Sequence, residues 1–146
     1  MNILNKIQKE LKAPKSQYNS FGKYNYRNVE DILEAVKPLL VDTVTLTLSD
    51  KMVQVGDRYY IEATATLSED DKKTVVTAYA REPLEQKGMN EAQITGSASS
   101  YARKYALNGL FCIDDTKDPD HDSQTKVPTI GTVTNPQPLT NVPVRR

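Results

Sequence analysis

The sequence predicts an α+β fold in which an antiparallel β-meander packs against a long core helix, with N-terminal helices before it and a flexible C-terminal tail. Three observations support this prediction. Apolar residues recur at helical spacing near the N-terminus and again after residue 90. Between these segments apolar and polar residues alternate, with connections too short for a crossover. Beyond residue 122, Pro, Thr and Asn replace large apolar residues. We therefore expect one domain at 1–120 and a tail at 121–146.

The composition narrows the class of protein. Only 38% of the 146 residues are hydrophobic, so either much of the chain is not core or neighbouring subunits complete the core. No apolar run approaches the roughly 18 residues of a membrane span, and the N-terminus lacks a secretory apolar region. The single cysteine, Cys112, excludes an intramolecular disulfide framework and fits a reducing cytoplasm. With one histidine and one cysteine the chain cannot build an ordinary zinc site, and we expect no cofactor.

The N-terminal third predicts two helices joined by a loop. The first helix has an apolar face of Ile3, Leu4, Ile7 and Leu11, and Pro14 ends it. Residues 16–28 are interpreted as a loop that carries four aromatic residues among cations. Asn28 is the predicted N-cap of the second helix, and Pro38 should kink or end that helix.

The middle of the chain predicts the meander. Residues 44–49, 51–55, 58–68 and 73–82 alternate as strands do, and Gly56-Asp57 and Asp70-Asp71 mark turns between them.

The last predicted helix begins at a capping box formed by Asn90 and Gln93, runs to about Asn108 and stops at Gly109. On a helical wheel one arc, expected to pack on the sheet, contains Tyr101, Ile94, Tyr105, Ala98, Ala102 and Ala106. The other arc contains Ser99, Arg103, Gly96, Leu107, Ser100, Lys104 and Ser97. Composition alone leaves that second face open between a solvated surface, a phosphate chain and a neighbouring subunit.

Charge is unevenly distributed although the formal net charge is +0. Residues 1–28 carry six cations against Glu10 alone, whereas residues 112–122 carry five aspartates against Lys117 alone. The basic segment interleaves its cations with Tyr18, Phe21, Tyr24 and Tyr26, a mixture that suits stacking on bases and contact with phosphates. The alternative is that each aromatic residue is a packing residue of a docked loop.

The acidic segment resembles a carboxylate metal loop in its alternating Asp118, Asp120 and Asp122, but it lacks the following glycine and the distal glutamate of a calcium loop. A solvated acidic segment is the favoured interpretation. No G-x-x-x-x-G-K-[ST] motif is present, so the sequence does not support ATP-driven strand exchange.

Two blocks carry a family resemblance: "FGKYNYRNVEDILEAVKPLL" (21–40) and "QITGSASSYARKYALNGLFCIDDTKDPD" (93–120) resemble the ERF family of phage "essential recombination function" proteins. The resemblance implies ATP-independent annealing of single-stranded DNA in phage or prophage recombination, without enzymatic activity, by a ring or filament of identical subunits. It also implies a fold like that of the Rad fifty-two and Redβ annealing proteins. A cytoplasmic location in the bacterial host follows, with a phage exonuclease or a single-strand-binding protein as candidate partners.

The same relationship implies that Arg103 and Lys104, late in the core helix, face the DNA backbone. Lys23, Tyr26 and Arg27 belong to the first block, and their chemistry suggests DNA contact. Ser99 and Ser100 complete the predicted DNA-binding set. Two alternatives remain at this stage: a metal-dependent nuclease using the acidic residues Asp114 to Asp122, and a non-catalytic adaptor whose working surface is the acidic segment and the tail.

Overall fold

The computed structural model describes residues 2–113. The helices of this part are α1 (Ile3–Glu10), α2 (Val29–Val36), followed by a 3-10 turn (Lys37–Leu39), and α3 (Glu91–Phe111). Its strands are β1 (Gln17–Asn19), β2 (Tyr24–Tyr26), β3 (Val44–Val55), β4 (Arg58–Glu69) and β5 (Lys72–Arg81). The predicted α+β class with antiparallel strands is confirmed.

The meander prediction is confirmed, since β3, β4 and β5 are neighbours in chain order and pair antiparallel throughout. Gly56 in the first turn and Asp70 in the second adopt left-handed conformations, with φ of 61° and 52°. The predicted break between residues 49 and 51 is wrong, because β3 runs through Asp50, which pairs with Ala63. Asp50 therefore lies on the sheet face that carries the buried β4 residues and that faces α3.

Helix α3 lies across β4 and β5 on small residues. Ala98, Ala102 and Ala106 are buried, and their short side chains allow the helix backbone to approach the sheet closely. The capping box predicted at Asn90 is confirmed, since Asn90 and Gln93 exchange both hydrogen bonds. The predicted stop at Gly109 is wrong: the helix continues to Phe111, and Cys112 closes it with a left-handed φ of 49°.

The helices α1 and α2 pack against α3 and complete the core. Ile7 and Ile32 are fully buried against Leu107 and Phe111, which are 0% and 1% exposed. Leu107 was predicted on the outer arc of α3, and that prediction is wrong because the two N-terminal helices bury the outer arc there. Gln8 Nε2 donates a hydrogen bond to the Leu110 carbonyl at 2.9 Å and fixes α1 to α3.

The predicted bounds of the two N-terminal helices agree with the structure for α2 and differ from it at the end of α1. Helix α1 already ends at Glu10, ahead of Pro14. The Asn28 cap is confirmed as a full capping box with Asp31, and Pro38 lies in the 3-10 turn that follows α2. The loop prediction for 16–28 is wrong for β1 and β2, which pair as a short hairpin, whereas the turn between these strands at 20–23 agrees with it. Gln17 Nε2 donates to Asp31 Oδ1 at 3.2 Å and ties the hairpin to α2.

Several predictions lie outside the described residues: the acidic segment from 114 to 122, the tail, and the domain boundary at 120/121. Of the helices described between residues 2 and 113, none is both long and apolar enough to cross a membrane.

Candidate nucleic-acid interface

One flank of α3 carries two exposed tyrosines and a partly buried lysine. Tyr101 and Tyr105, one helical turn apart, are 49% and 50% exposed, and their ring centroids are 6.3 Å apart. Lys104 Nζ lies 4.6 Å from the Tyr101 centroid and 5.6 Å from the Tyr105 centroid, within cation–π range. The prediction that both rings pack on the sheet is wrong, because the buried stripe is centred on Ala102 and the tyrosines lie at its margin.

A hollow of about 120 Å³, here called the Lys104 hollow, joins this flank to the beginning of α2. Helix α3 contributes Ser100, Tyr101 and Lys104 to its lining. The segment from the end of β2 to the beginning of α2 contributes Tyr26, Arg27, Asn28 and Val29. Four of the seven residues predicted from the sequence, Tyr26, Arg27, Ser100 and Lys104, therefore meet at one place although more than seventy residues separate the two segments.

The hollow concentrates positive charge. Burial, and secondarily the charges of Arg27 and Lys15, hold the pKa of Lys104 below its ordinary value. Arg27 is only 5% exposed, so it offers the hollow its positive charge and little open contact surface. Burial is the main cause that raises the pKa of Tyr101, followed by the neighbouring phenols Tyr24, Tyr105 and Tyr26. Grouped cations beside grouped aromatic rings form a surface suited to a polyanion with flat bases.

Arg103 and Ser99 lie on the other flank of α3 and bind Asp50. Arg103 Nε donates to both carboxylate oxygens, at 2.9 and 3.2 Å, and Ser99 Oγ donates to one of them at 2.5 Å. Burial opposes the charge on Asp50, but these hydrogen bonds outweigh it and hold the pKa of Asp50 below its ordinary value. Arg103 and Lys104 thus point to different flanks, and the DNA contact of Arg103 and Ser99 stays a prediction.

The remaining predicted residue, Lys23, lies in the exposed turn of the β1–β2 hairpin with a left-handed φ of 54°. The structure does not bring Lys23 into the Lys104 hollow.

A second hollow, of about 360 Å³, lies on the far side of Tyr101 and was missed by sequence reasoning. Its lining comes from the end of β5, the segment after it and α3: Tyr79, Ala80, Arg81, Pro83, Gln86, Ser97, Ala98, Tyr101 and Tyr105. The signal that could have found it is the Tyr-x-x-x-Tyr spacing, which stacks two rings along one side of a helix.

No group of three or more His, Cys, Asp or Glu side chains within residues 2–113 is arranged to hold a metal ion. The carboxylates proposed for a nuclease begin at Asp114 and lie outside those residues.

The fold and its surface define an α+β protein with an antiparallel meander, backed by helices, that presents a cationic and aromatic interface. Comparison with known proteins makes this class specific: the sequence matches the ERF superfamily over residues 2–139, and the chain belongs to that superfamily. The resemblance found in the two sequence blocks is therefore confirmed.

One similar protein is the "Essential recombination function protein" of Salmonella phage P22, 59% identical over 117 residues. The alignment covers 80% of this chain but only 57% of the phage protein, so the chain spans little more than half of its relative's length. No solved structure matches the chain.

Proposed function

We propose that this chain binds single-stranded DNA and anneals complementary strands without ATP during phage or prophage homologous recombination. Membership of the ERF superfamily and the name of the P22 relative support a role in recombination. The observation that carries the DNA-binding step is the Lys104 hollow, where cations and aromatic rings from distant parts of the chain meet.

The mechanism follows from charge and stacking. Two DNA strands repel each other through their phosphates, and a protein that neutralises part of that charge lowers the barrier to pairing. On this proposal Lys104 contacts a phosphate, with Arg27 raising the local positive potential. Tyr101 and Tyr105 offer ring faces to bases and keep the strand extended. No bond is made or broken, so the reaction needs neither a nucleotide cofactor nor a metal.

The proposal extends to assembly. Side-by-side copies would join successive hollows into one path for the strand, as in the ring or filament of a Rad fifty-two-like annealing fold. The low apolar fraction of 38% is compatible with cores completed between subunits. A phage exonuclease or a single-strand-binding protein is the proposed protein partner, and the cytoplasm of the host is the proposed location.

Two variants of equal charge change test the site. Lys104→Ala removes the cation of the hollow, and Lys51→Ala removes an exposed cation from the opposite sheet face, where residue 51 pairs with Glu62. Losing one phosphate contact on a single strand should flatten the slope of log K against log salt by about 0.7. We expect Lys104→Ala to flatten the salt slope and to weaken binding of oligonucleotides whatever their base sequence. We expect neither effect in Lys51→Ala.

The measurement is fluorescence anisotropy of a labelled oligonucleotide across a salt series, followed by annealing of complementary dye-labelled strands without ATP. Negative-stain microscopy of the same samples tests for rings or filaments. Equal effects of the two variants would remove the Lys104 hollow from the proposal. A wild-type chain that neither binds nor speeds annealing would refute the proposed function.

A further inference from the structure

The turn of the β1–β2 hairpin presents an aromatic ring to solvent. Phe21 is 99% exposed, more than any other large hydrophobic residue of the described chain. Its side chain therefore contributes almost nothing to the core, whose largest fully buried members are in the helices. A single exposed apolar residue is ordinary on a protein surface, so the case for a role depends on how the ring is held and what surrounds it.

The turn that carries Phe21 is fixed by side-chain contacts. Asn19 Oδ1 accepts hydrogen bonds from the backbone N–H groups of Phe21 and Gly22, at 3.0 and 2.9 Å. Asn19 Nδ2 in turn donates to the Tyr24 hydroxyl at 3.1 Å. The Tyr24 ring lies directly over Gly22, where an added Cβ would overlap it. Phe21 is thus displayed by a defined turn, which reduces the entropy lost when the ring meets a partner.

The surroundings of Phe21 are cationic and aromatic. Lys23 follows it in the turn, and Tyr24 is 42% exposed with its ring centroid 6.1 Å from that of Tyr26. Tyr26 in turn lines the Lys104 hollow, so the hairpin that displays Phe21 also contributes a ring to the proposed phosphate contact. Residues 1–28 carry six cations against one acid, which favours a polyanion with flat rings over an apolar protein surface as the occupant.

We propose that Phe21 is a base-stacking residue that contacts a base of the single strand whose backbone passes the Lys104 hollow. The proposal rests on the proposed function, and it extends the interface from α3 to the hairpin turn. The ring stacks on any base through its π face, which is sequence-independent, as annealing of arbitrary complementary strands requires.

The absence of tryptophan from the sequence gives this proposal a direct probe. Phe21→Trp introduces the only indole of the chain at the turn, which can be excited at wavelengths where the eight tyrosines do not absorb. We expect its emission to be quenched on titration with oligothymidine because base and indole stack. Val75→Trp is the matched control: Val75 is 54% exposed, and its neighbour Val76 faces α3, so residue 75 points away from it. We expect Val75→Trp to bind DNA with no quenching. Anisotropy of a labelled strand measures binding independently in both variants.

A second pair of measurements separates stacking from charge. Phe21→Ala should weaken binding of an ordinary oligonucleotide about 5- to 150-fold, the range that one lost base–aromatic stack gives. The same variant should bind an abasic strand of equal length as wild type does, because that strand offers phosphates without rings.

The outcomes discriminate clearly. Binding by anisotropy with unchanged emission at position 21, or equal losses on ordinary and abasic strands, would overturn base stacking and leave the proposed function standing. An emission spectrum that shifts to the blue with protein concentration, and does not respond to DNA, would place Phe21 against a second copy of the chain and overturn the proposal. Absence of binding even by the wild-type chain would overturn both proposals together.

Discussion

Replacement by alanine is expected to change stability differently at Gly96 and Gly109, the two glycines inside α3. Gly96 gives the clearer test. It is exposed, and a Cβ added there would meet no other atom within 4 Å. Glycine costs a helix interior about 0.8–1.0 kcal/mol relative to alanine. Gly96→Ala should therefore raise the free energy of unfolding by about 1 kcal/mol and the melting temperature by about 4 °C for a domain of this size.

Gly109→Ala is the matched control in the same helix. The same helical preference applies there, but the new Cβ would lie 3.0 Å from Val76 Cγ1, closer than nearly all real contacts of this kind. Steric repulsion against β5 should cancel the gain, so we expect a melting temperature at or below that of wild type.

The measurement is thermal unfolding together with urea denaturation, in which an unchanged m-value certifies that only stability has changed. A Gly96→Ala chain no more stable than wild type would contradict an unobstructed helical glycine at 96, and equal stabilisation by Gly109→Ala would contradict a steric conflict with Val76. DNA binding by the same variants adds a functional result. A Gly96→Ala chain that is more stable, yet binds DNA or assembles less well, would indicate that a DNA strand or a neighbouring subunit approaches the helix backbone at Gly96 in the complex.

Two further predictions concern ionisable groups. The pKa of Asp50 is held below its ordinary 3.8. The charge of Asp50 therefore stabilises the folded state above pH 3.8, and this stabilisation is lost as the pH falls from 3.8 through the lowered pKa. Asp50→Asn should be less stable than wild type at neutral pH and should lose less stability in acid, and parallel unfolding curves from neutral pH to about pH 2 would contradict this. The pKa of Lys104 is lowered, so the unfolded chain binds more protons below 10.5 and wild-type stability rises with pH there. Lys104→Met should abolish the part of that rise that Lys104 causes. The variant should keep the wild-type melting temperature at neutral pH and should lose DNA affinity. A lower melting temperature with the rise unchanged would contradict a cation whose charge is disfavoured by burial.

Features set by neighbouring residues could be predicted from the sequence. The caps at Asn28 and Asn90 depend on a side chain and a backbone three residues away, and both are present as capping boxes. The two strand turns depend on residues that tolerate left-handed conformations, and both fall where the sequence indicates. The order and pairing of β3, β4 and β5 follow from these short connections.

Features set by distant residues could not be predicted. Asp50 in a strand resembles a break until Arg103 and Ser99, about fifty residues later, supply its partners. The helical wheel assumes one buried face, whereas α3 contacts the sheet and also α1 and α2, and Leu107 is buried in the core that these elements share. The same geometry leaves Tyr101 and Tyr105 half-exposed at the margin of the buried stripe, although the sequence had assigned both rings to packing on the sheet.

The hydrogen bond from Gln8 to Leu110, which spans 102 residues, sets an order of events during synthesis. At roughly 5–20 residues per second, α1 is made about 5–20 s before the turn of α3 that it binds. A helix of eight residues is unstable by itself in water, whereas β3, β4 and β5 are joined by short turns and need no distant part of the chain to pair with one another. We therefore expect the chain to fold from its middle outward, with α1 docking last because its partner turn of α3 is made last.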